Sequence, residues 1–215
     1  MELDSLLLEE LDPEGSAILH LYDWERPSFT FGYFVKPERF LDMQAVSKLG
    51  LDCARRPTGG GIIFHTTDLA FSVLIPASHE GYNDNILENY RFINEKVKKV
   101  IQNLFAGPRC MLLDRDPQSS DEAHSRFCMA KPTIYDVMLE GKKIAGSAQR
   151  KRRQGYLHQG SLSLCLPDET LLKKILLPTS FVLESMIDYT EPFIDLSSIA
   201  ITREKVKEEL KKIFS

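Results

Sequence analysis

The segment of the chain with the clearest chemical potential is FCMAKPTIYDVMLEGKKIAGSAQR, residues 127–150. It contains a cysteine, Cys128, and fifteen positions later a lysine, Lys143, which leads into a run of small residues. The thiolate is the nucleophilic form of cysteine, and a nearby cation favours that form. If folding brings the two side chains together, the cysteine could act as a nucleophile that the lysine activates.

Cys128 has the strongest case among the four cysteines of the chain. It follows a polar stretch, residues 115–127, that we expect to be a loop, and the basic residues Arg126 and Lys131 flank it. The other three have weaker cases: Cys53, Cys110 and Cys165. No CxxC pair occurs, which disfavours a zinc ribbon or a redox motif. Most free cysteines are buried and inert, so a structural thiol is the alternative at Cys128.

A second candidate is the glycine-rich block RRPTGGGIIFH, residues 55–65. Glycines let a substrate approach the backbone closely, because they have no side chain. Backbone N–H groups and two guanidinium groups would suit a phosphate, a carboxylate or a thioester oxygen. The pattern of a P-loop is absent. The residues alone favour a glycine-rich turn with surface arginines about as strongly as a binding loop.

The third candidate is GKKIAGSAQR, residues 141–150. Side chains alternate between the two faces of a strand, which predicts one face carrying Lys143, Ala145, Ser147 and Gln149. Small residues beside the lysine would leave a groove for a flexible acyl chain. The alternative is an ordinary hairpin with a solvated lysine.

Two histidines lie close to these blocks, His65 at the end of the glycine-rich block and His158 in LHQGSL. None of the five histidines has the spacing of a zinc site, HExxH or HxxxH. The serine-hydrolase pattern GxSxG is also missing. Each histidine alone is more typical of structural hydrogen bonding than of catalysis.

Composition restricts the classes of protein that the chain can belong to. Its 215 residues are 43% hydrophobic and 27% charged, as expected for a globular domain with a sizeable core. The net charge of −4 gives no overall basic field for nucleic acid or an anionic membrane. The acidic N-terminus does not resemble a signal peptide, and no apolar run is long enough to cross a bilayer. We therefore expect a cytoplasmic protein.

The pattern of apolar residues predicts an α+β sheet domain. Helices are predicted at the N-terminus and over residues 86–105, 169–176 and 202–214, the last with Thr202 as its N-cap. Strands are predicted over AILHLYDW, SFTFGYF, GGGIIFHTTDLAFSVLIP and HQGSLSLCL, the third with an internal turn. A hairpin is predicted to turn near Glu140-Gly141.

Three blocks in order, RRPTGGGIIFH, GKKIAGSAQR and HQGSL, resemble the biotin/lipoate protein ligase catalytic-domain superfamily. Each motif alone would be weak, but the ordered set is specific and covers most of the chain. The resemblance implies an α+β class II biotin/lipoate ligase-like catalytic domain, with a mixed β-sheet and flanking helices. We expect one such domain over residues 1–215, without the C-terminal accessory domain of many lipoate ligases.

Members of this superfamily attach lipoyl, octanoyl or biotinyl groups to one lysine of a carrier domain. Octanoyltransferases take the acyl group from octanoyl-acyl carrier protein, in one branch through a cysteine thioester, and need no cofactor. Lipoate-protein ligases instead activate free lipoate with ATP and Mg²⁺. The resemblance implies a lipoyl-domain acceptor, such as the glycine cleavage H protein or the E2 component of a 2-oxoacid dehydrogenase.

Several positions separate these two branches. After His65 the chain lacks the Asp-x-Gly-Asn sequence that is typical of ligases. This absence resembles the cysteine-dependent octanoyltransferases, and so do GYF at 32–34 and the spacing between Cys128 and Lys143. Three positions differ from the octanoyltransferase pattern. Gly61 replaces its usual Arg, Thr66 its usual Asp and Val35 its usual Gln. An ATP-dependent lipoate-protein ligase A therefore stays an alternative, and so does a non-catalytic acyl-binding module.

The resemblance also implies the roles of individual residues. Cys128 and Lys143 are the expected catalytic residues, with no metal site. The expected substrate-binding residues are Tyr33, Arg55, Arg56, Thr58, Gly59, Gly60, Gly61, His65, Gly146, Ser147, Ala148, His158 and Gly160.

Overall fold

The structure, a computed structural model, describes residues 1–105, 110–115, 133–180, 182–190 and 196–215. Cys128 and almost all of the loop predicted over 115–127 therefore lie outside the described residues. None of the helices in the described ranges combines the length and the apolarity that crossing a bilayer requires.

Six strands form an antiparallel sheet, which we call the large sheet. In chain order they are β1 (Ile18–Leu21), β5 (Asp68–Pro76), β6 (Cys110–Leu112), β7 (Val137–Leu139), β8 (Lys142–Arg152) and β9 (Gly155–Ser163). Their order across the sheet is β1-β5-β9-β8-β7-β6. Every residue of the central strands β5 and β9 is buried.

The remaining three strands form the small sheet: β2 (Ser28–Phe31), β3 (Asp52–Arg55) and β4 (Ile62–His65). The central strand β2 runs parallel to β3 and antiparallel to β4. Residues 66 and 67 link the two sheets, because β4 ends at His65 and β5 begins at Asp68. The glycine-rich block thus connects β3 to β4 within the small sheet, and the link to the large sheet follows it directly.

Six helices cover the sheets: α1 (Glu2–Glu9), α2 (Met43–Lys48), α3 (Ile86–Leu104), α4 (Glu169–Ile175), α5 (Val182–Tyr189) and α6 (Ile199–Phe214). Helices α3 and α6 bury one face of the large sheet in the main core cluster, and α1 packs on its other face. Helices α2, α4 and α5 bury the small sheet in a second cluster. The predicted α+β class is confirmed.

Most predicted elements are present, but one predicted helix start is wrong. Helix α6 begins at Ile199, with Ser198 as its N-cap, so Thr202 is not the cap. Ile199 packs against the main core, and this contact extends the helix by almost one turn before Thr202. Helices α2 and α5 were not predicted from the sequence.

The predicted hairpin at Glu140-Gly141 is confirmed, and a bulge beside it changes the position of Lys143. Both turn residues have positive φ, 50° and 87°, as a two-residue hairpin turn requires. Val137 pairs with Ala145 but Met138 pairs with Lys143, so β8 contains one extra residue, Ile144. Ile144 and Ala145 both pack in the main core. The predicted shared face of Lys143 and Ala145 is therefore wrong.

Candidate active site

Residues of both sheets line a cavity of about 260 Å³. The small sheet contributes Thr30, Ile63 and His65, and the large sheet contributes residues of β5, β8 and β9. Most of the cavity surface is apolar, as in many ligand pockets, although more than half of the lining residues have a polar side chain. An extended acyl chain is the kind of ligand that such a cavity can hold.

Folding brings nine of the predicted residues to this cavity. They are Arg56, Gly59, Gly60, His65, Lys143, Gly146, Ser147, Ala148 and Gly160. Five other predicted residues do not line it: Tyr33, Arg55, Thr58, Gly61 and His158. These residues come from segments up to about a hundred positions apart in the sequence. They meet at the cavity only because their strands pair.

Lys143 is buried in the cavity wall and forms an ion pair. Its Nζ lies 2.7 Å from Oδ2 of Asp136, and both side chains are at most 4% exposed. The same Oδ2 accepts hydrogen bonds from Thr133, from its N–H at 2.7 Å and from its hydroxyl at 2.9 Å. A buried cation requires such a partner. Sequence reasoning missed Asp136, although it lies within the predicted hairpin and directly precedes β7.

Arg56 binds to the protein itself and is 4% exposed. Its Nη1 donates to Oγ1 of Thr30 at 2.8 Å. Its Nη2 donates to the carbonyl oxygens of Gly61 at 2.7 Å and Gly59 at 3.2 Å. The guanidinium therefore shapes the glycine-rich loop from inside the fold.

Close backbone contact explains one of the glycines beside this loop. A Cβ at Gly32 would lie only 1.9 Å from the carbonyl oxygen of Gly60, so no side chain fits. The N–H of Gly32 donates to the carbonyl of Gly61 at 3.1 Å. A Cβ at Gly59, in contrast, would meet no atom within 4 Å. Gly32 is required for packing, whereas Gly59 leaves the space beside it open.

His65 connects the two sheets through a buried chain of hydrogen bonds. Its Nδ1 lies 2.8 Å from Oδ2 of Asp68, and its Nε2 lies 2.8 Å from Oγ1 of Thr30. Ser161 donates to the same Oδ2 at 2.6 Å. Because a carboxylate only accepts, it fixes the proton on Nδ1, and the Thr30 hydroxyl then donates to Nε2. Trp24 stacks on the imidazole at a centroid distance of 4.3 Å.

His158 is fully buried and does not itself line the cavity. It stacks with Phe71 and touches Tyr90 edge-on, and its Nδ1 lies 2.9 Å from Nε2 of Gln149. Burial lowers the pKa of His158 to about 3, so the imidazole is neutral at physiological pH. Because His158 does not line the cavity, its predicted contact with substrate stays a prediction.

The next residue, Gln159, lines the cavity and was missed by sequence reasoning. Its Oε1 accepts from the Thr58 hydroxyl at 2.7 Å, and its Nε2 donates to Asp4 at 2.5 Å. Thr58 thus supports the site through Gln159 without lining it. Strand alternation places His158 and Gln159 on opposite faces, but only the strand pairing shows which face is the cavity.

Tyr33 and Arg55 lie at the protein surface. Tyr33 is 49% exposed and its neighbour Phe34 is 89% exposed. The guanidinium of Arg150 lies over the Tyr33 ring at 5.8 Å, and Arg55 is also exposed. None of these exposed side chains lines the cavity.

Three cysteines are within the described residues, and none of them lines the cavity. Burial raises the pKa of Cys110 to about 11, which keeps it a thiol, while Cys53 is exposed and Cys165 is partly buried. The nucleophile prediction for Cys128 stays a prediction, because that residue is outside the described ranges. In the part of the chain that the structure describes, no three His, Cys, Asp or Glu side chains cluster as a metal site.

Comparison with known proteins agrees with these features. The family model for the Lipoyl protein ligase A/B catalytic domain matches residues 1–215. The chain is 33% identical to Octanoyltransferase LipM of Geobacillus kaustophilus (strain HTA426), over 100% of this chain and 80% of that protein. It is 31% identical to Octanoyltransferase LipM of Kyrpidia tusciae, over 99% and 79%.

The fold is similar to that of a solved bi-partite lipoate protein ligase from Thermoplasma acidophilum. The TM-score is 0.70 at 24% sequence identity, covering 99% of this chain and 75% of that one. With the family model matching from the first to the last residue, the chain belongs to the lipoyl protein ligase A/B catalytic domain family.

Proposed function

We propose that the protein is an octanoyltransferase that moves an octanoyl group from acyl carrier protein to a lysine of a lipoyl-type carrier domain. The observation that carries the proposal is a cavity lined by small residues with the buried ammonium of Lys143 in its wall. An apolar chain fits beside Gly146 and Ala148, while the cation suits a thioester oxygen. Full-length similarity to octanoyltransferases supports the same activity.

The reaction has two steps, and Cys128 is the proposed nucleophile. In the first step its thiolate attacks the thioester carbonyl carbon, and the carrier's thiolate leaves and takes up a proton. Lys143 stabilises the thiolate and the oxyanion by Coulomb attraction. In the second step the acceptor lysine's neutral amine attacks the Cys128 thioester, an amide forms and the Cys128 thiolate is released. The amine's proton passes to solvent.

The donor and the acceptor are both protein-bound, so the enzyme must also receive proteins. Arg55 and the basic run Arg150–Arg153 lie at least partly at the surface and would attract an acidic carrier protein. Arg56 cannot take part in this, because it is buried and bonded to Thr30 and the glycine-rich loop.

One observation favours a second candidate, an ATP-dependent lipoate-protein ligase. Gly59-Gly60-Gly61 is the triplet typical of ligases, where octanoyltransferases usually have Gly-Gly-Arg. In this reading free lipoate, ATP and Mg²⁺ would be the substrates, and Lys143 would contact the lipoyl-adenylate. Cys128 would then be dispensable.

Intact-mass measurement separates these functions. We expect octanoyl-acyl carrier protein to leave one octanoyl group on the wild-type enzyme and none on Cys128→Ala. Cys53→Ala is the matched control, because Cys53 is exposed and should not affect the adduct. Transfer that survives in Cys128→Ala would contradict the cysteine mechanism, and transfer only from free lipoate with ATP would favour the ligase. Acyl binding without any turnover would indicate a binding module.

A further inference from the structure

The turn before β7 contains a strained residue next to the partner of Lys143. Tyr135 has φ of +68°, in the left-handed region that side chains other than glycine adopt at a cost of about 1 kcal/mol or more. Its N–H donates to the carbonyl of Leu113 at 2.8 Å. Its own carbonyl accepts from Nδ2 of Asn94 at 2.9 Å. Strain that the surrounding contacts maintain often marks a functional position.

Asn94 holds this turn from the middle of α3. It is 3% exposed, and an amide buried in a helix interface is unfavourable unless it is hydrogen-bonded. Its Nδ2 lies 2.9 Å from the carbonyl of Tyr135 and 3.4 Å from Oγ of Ser147, which lines the cavity. Asn94 therefore connects the strained turn to β8.

The turn presents the carboxylate of Asp136 to Lys143. Three donors converge on Oδ2 of Asp136: the N–H and the hydroxyl of Thr133 and the ammonium of Lys143. The carbonyl of Asp136 also accepts from the N–H of Leu113 at 3.0 Å. Hydrogen bonds thus fix both the backbone and the side chain of Asp136. A long lysine side chain loses much rotamer freedom when it is held in this way, which prepares it for the substrate.

We propose that Asp136, held by Asn94 through the strained Tyr135 turn, is a positioning residue that fixes the ammonium of Lys143 for the reaction. It acts through Lys143 and does not itself touch the acyl group. The proposal rests on the proposed function in one respect, namely that Lys143 is the reactive cation of the cavity.

The kinetic test compares Asp136→Asn with Lys143→Gln and with the double variant, following transfer to a carrier domain by mass. Asp136→Asn keeps the shape and removes the charge, so we expect kcat to fall about 100-fold while KM for the donor stays within about three-fold. Because Asp136 acts through Lys143, the double variant should be no slower than Lys143→Gln alone. A purely structural role predicts losses that multiply.

The turn can be tested with matched variants. Asn94→Leu should lower kcat about ten-fold, which is a smaller loss than the one expected for Asp136→Asn. Asn103→Leu is the control, because Asn103 lies on the same helix and is exposed. Tyr135→Gly should keep kcat within about two-fold, since glycine adopts positive φ freely. Thermal unfolding confirms that each variant is folded.

A labelling measurement tests the positioning independently of the enzyme's activity. Acetylation by an amine-reactive ester, read by peptide mass, reports how tightly Lys143 is held, with the neighbouring Lys142 as internal reference. We expect Lys143 to be protected in the wild type and labelled at least about ten-fold faster in Asp136→Asn and Asn94→Leu, but not in Asn103→Leu.

The two readouts separate the possible failures. Unchanged labelling of Lys143 in Asp136→Asn would overturn the positioning role, and so would a kcat within two-fold of wild type. A double variant more than ten-fold slower than Lys143→Gln would also overturn it. If the wild type transfers no acyl group at all, the proposed function fails, and the labelling result still decides whether Asp136 fixes Lys143.

Discussion

The two walls of the cavity use their polar residues in different ways. On the wall formed by the small sheet, Arg56, Thr30 and His65 bond to one another and to Asp68, so this polar chain stays within the protein. On the β8 wall, the ammonium of Lys143 lies between a fixed carboxylate and the cavity. A buried cation therefore shapes one wall, whereas on the other wall a buried cation is the proposed reactive group.

The largest effect should come from the β8 wall. In the proposed mechanism Lys143 stabilises the thiolate and the oxyanion, so we expect Lys143→Gln to lower kcat for octanoyl transfer about 1,000-fold. Lys142→Gln, at the adjacent position, should stay within about two-fold of wild type. Steady-state kinetics with a carrier-domain acceptor measure both. Equal losses in the two variants would show that Lys143 has no special role.

Substitutions in the wall formed by the small sheet should lower the stability of the protein. Arg56→Met removes a buried cation and its three hydrogen bonds, which should lower the free energy of unfolding by about 3 kcal/mol. Arg55→Met should lower it by less than about 1 kcal/mol, because Arg55 is exposed and lies over the Phe31 ring at 5.7 Å. Urea unfolding compares the two variants. An Arg56→Met protein as stable as wild type would contradict the shaping role.

Two glycines, one in the glycine-rich loop and one packed against it, should differ in the same measurement. Gly32→Ala places a methyl group 1.9 Å from a backbone oxygen and should cost about 2 kcal/mol or more. Gly59→Ala meets no neighbouring atom and should change the free energy of unfolding by less than about 0.5 kcal/mol. If both variants lose the same stability, the close contact between Gly32 and Gly60 is not what packs the loop.

The last effect concerns the buried histidine His158 and appears only when the pH falls. The folded-state pKa of His158, about 3, is below the value of about 6.5 for an unfolded histidine. Its contribution to stability is therefore complete above pH 6.5 and is lost as the pH falls from 6.5 toward 3, at about 1.4 kcal/mol per pH unit. The free energy of unfolding, measured with urea at several pH values, should depend on pH less steeply in His158→Phe. The difference should correspond to the uptake of one proton on unfolding. An unchanged slope would show that burial does not keep His158 neutral.

Local patterns predicted the elements that depend on local chemistry. The apolar spacing of residues 86–105 predicted α3, and Glu140-Gly141 predicted the hairpin, because neighbouring residues determine both. The bulge at Ile144 could not be predicted, since it depends on how β7 pairs with β8. For this reason the sequence placed Lys143 on the wrong face of its strand.

The site shows the same division. The family resemblance pointed to Lys143, Gly59 and Gly60, which line the cavity. It did not identify Asp136 or Gln159. Asp136 becomes a partner of Lys143 only after a strained turn folds back on β8. Gln159 was missed beside His158 because alternation separates the two faces without indicating which one meets the cavity.

The central claim is that the enzyme takes its acyl group from a thioester and does not need ATP. The most direct measurement is the intact mass of a lipoyl carrier domain after incubation with the enzyme and octanoyl-acyl carrier protein in the absence of ATP. We predict one octanoyl group on the acceptor lysine of the domain, and none with Lys143→Gln. An unmodified domain, together with lipoylation that requires free lipoate and ATP, would contradict the claim.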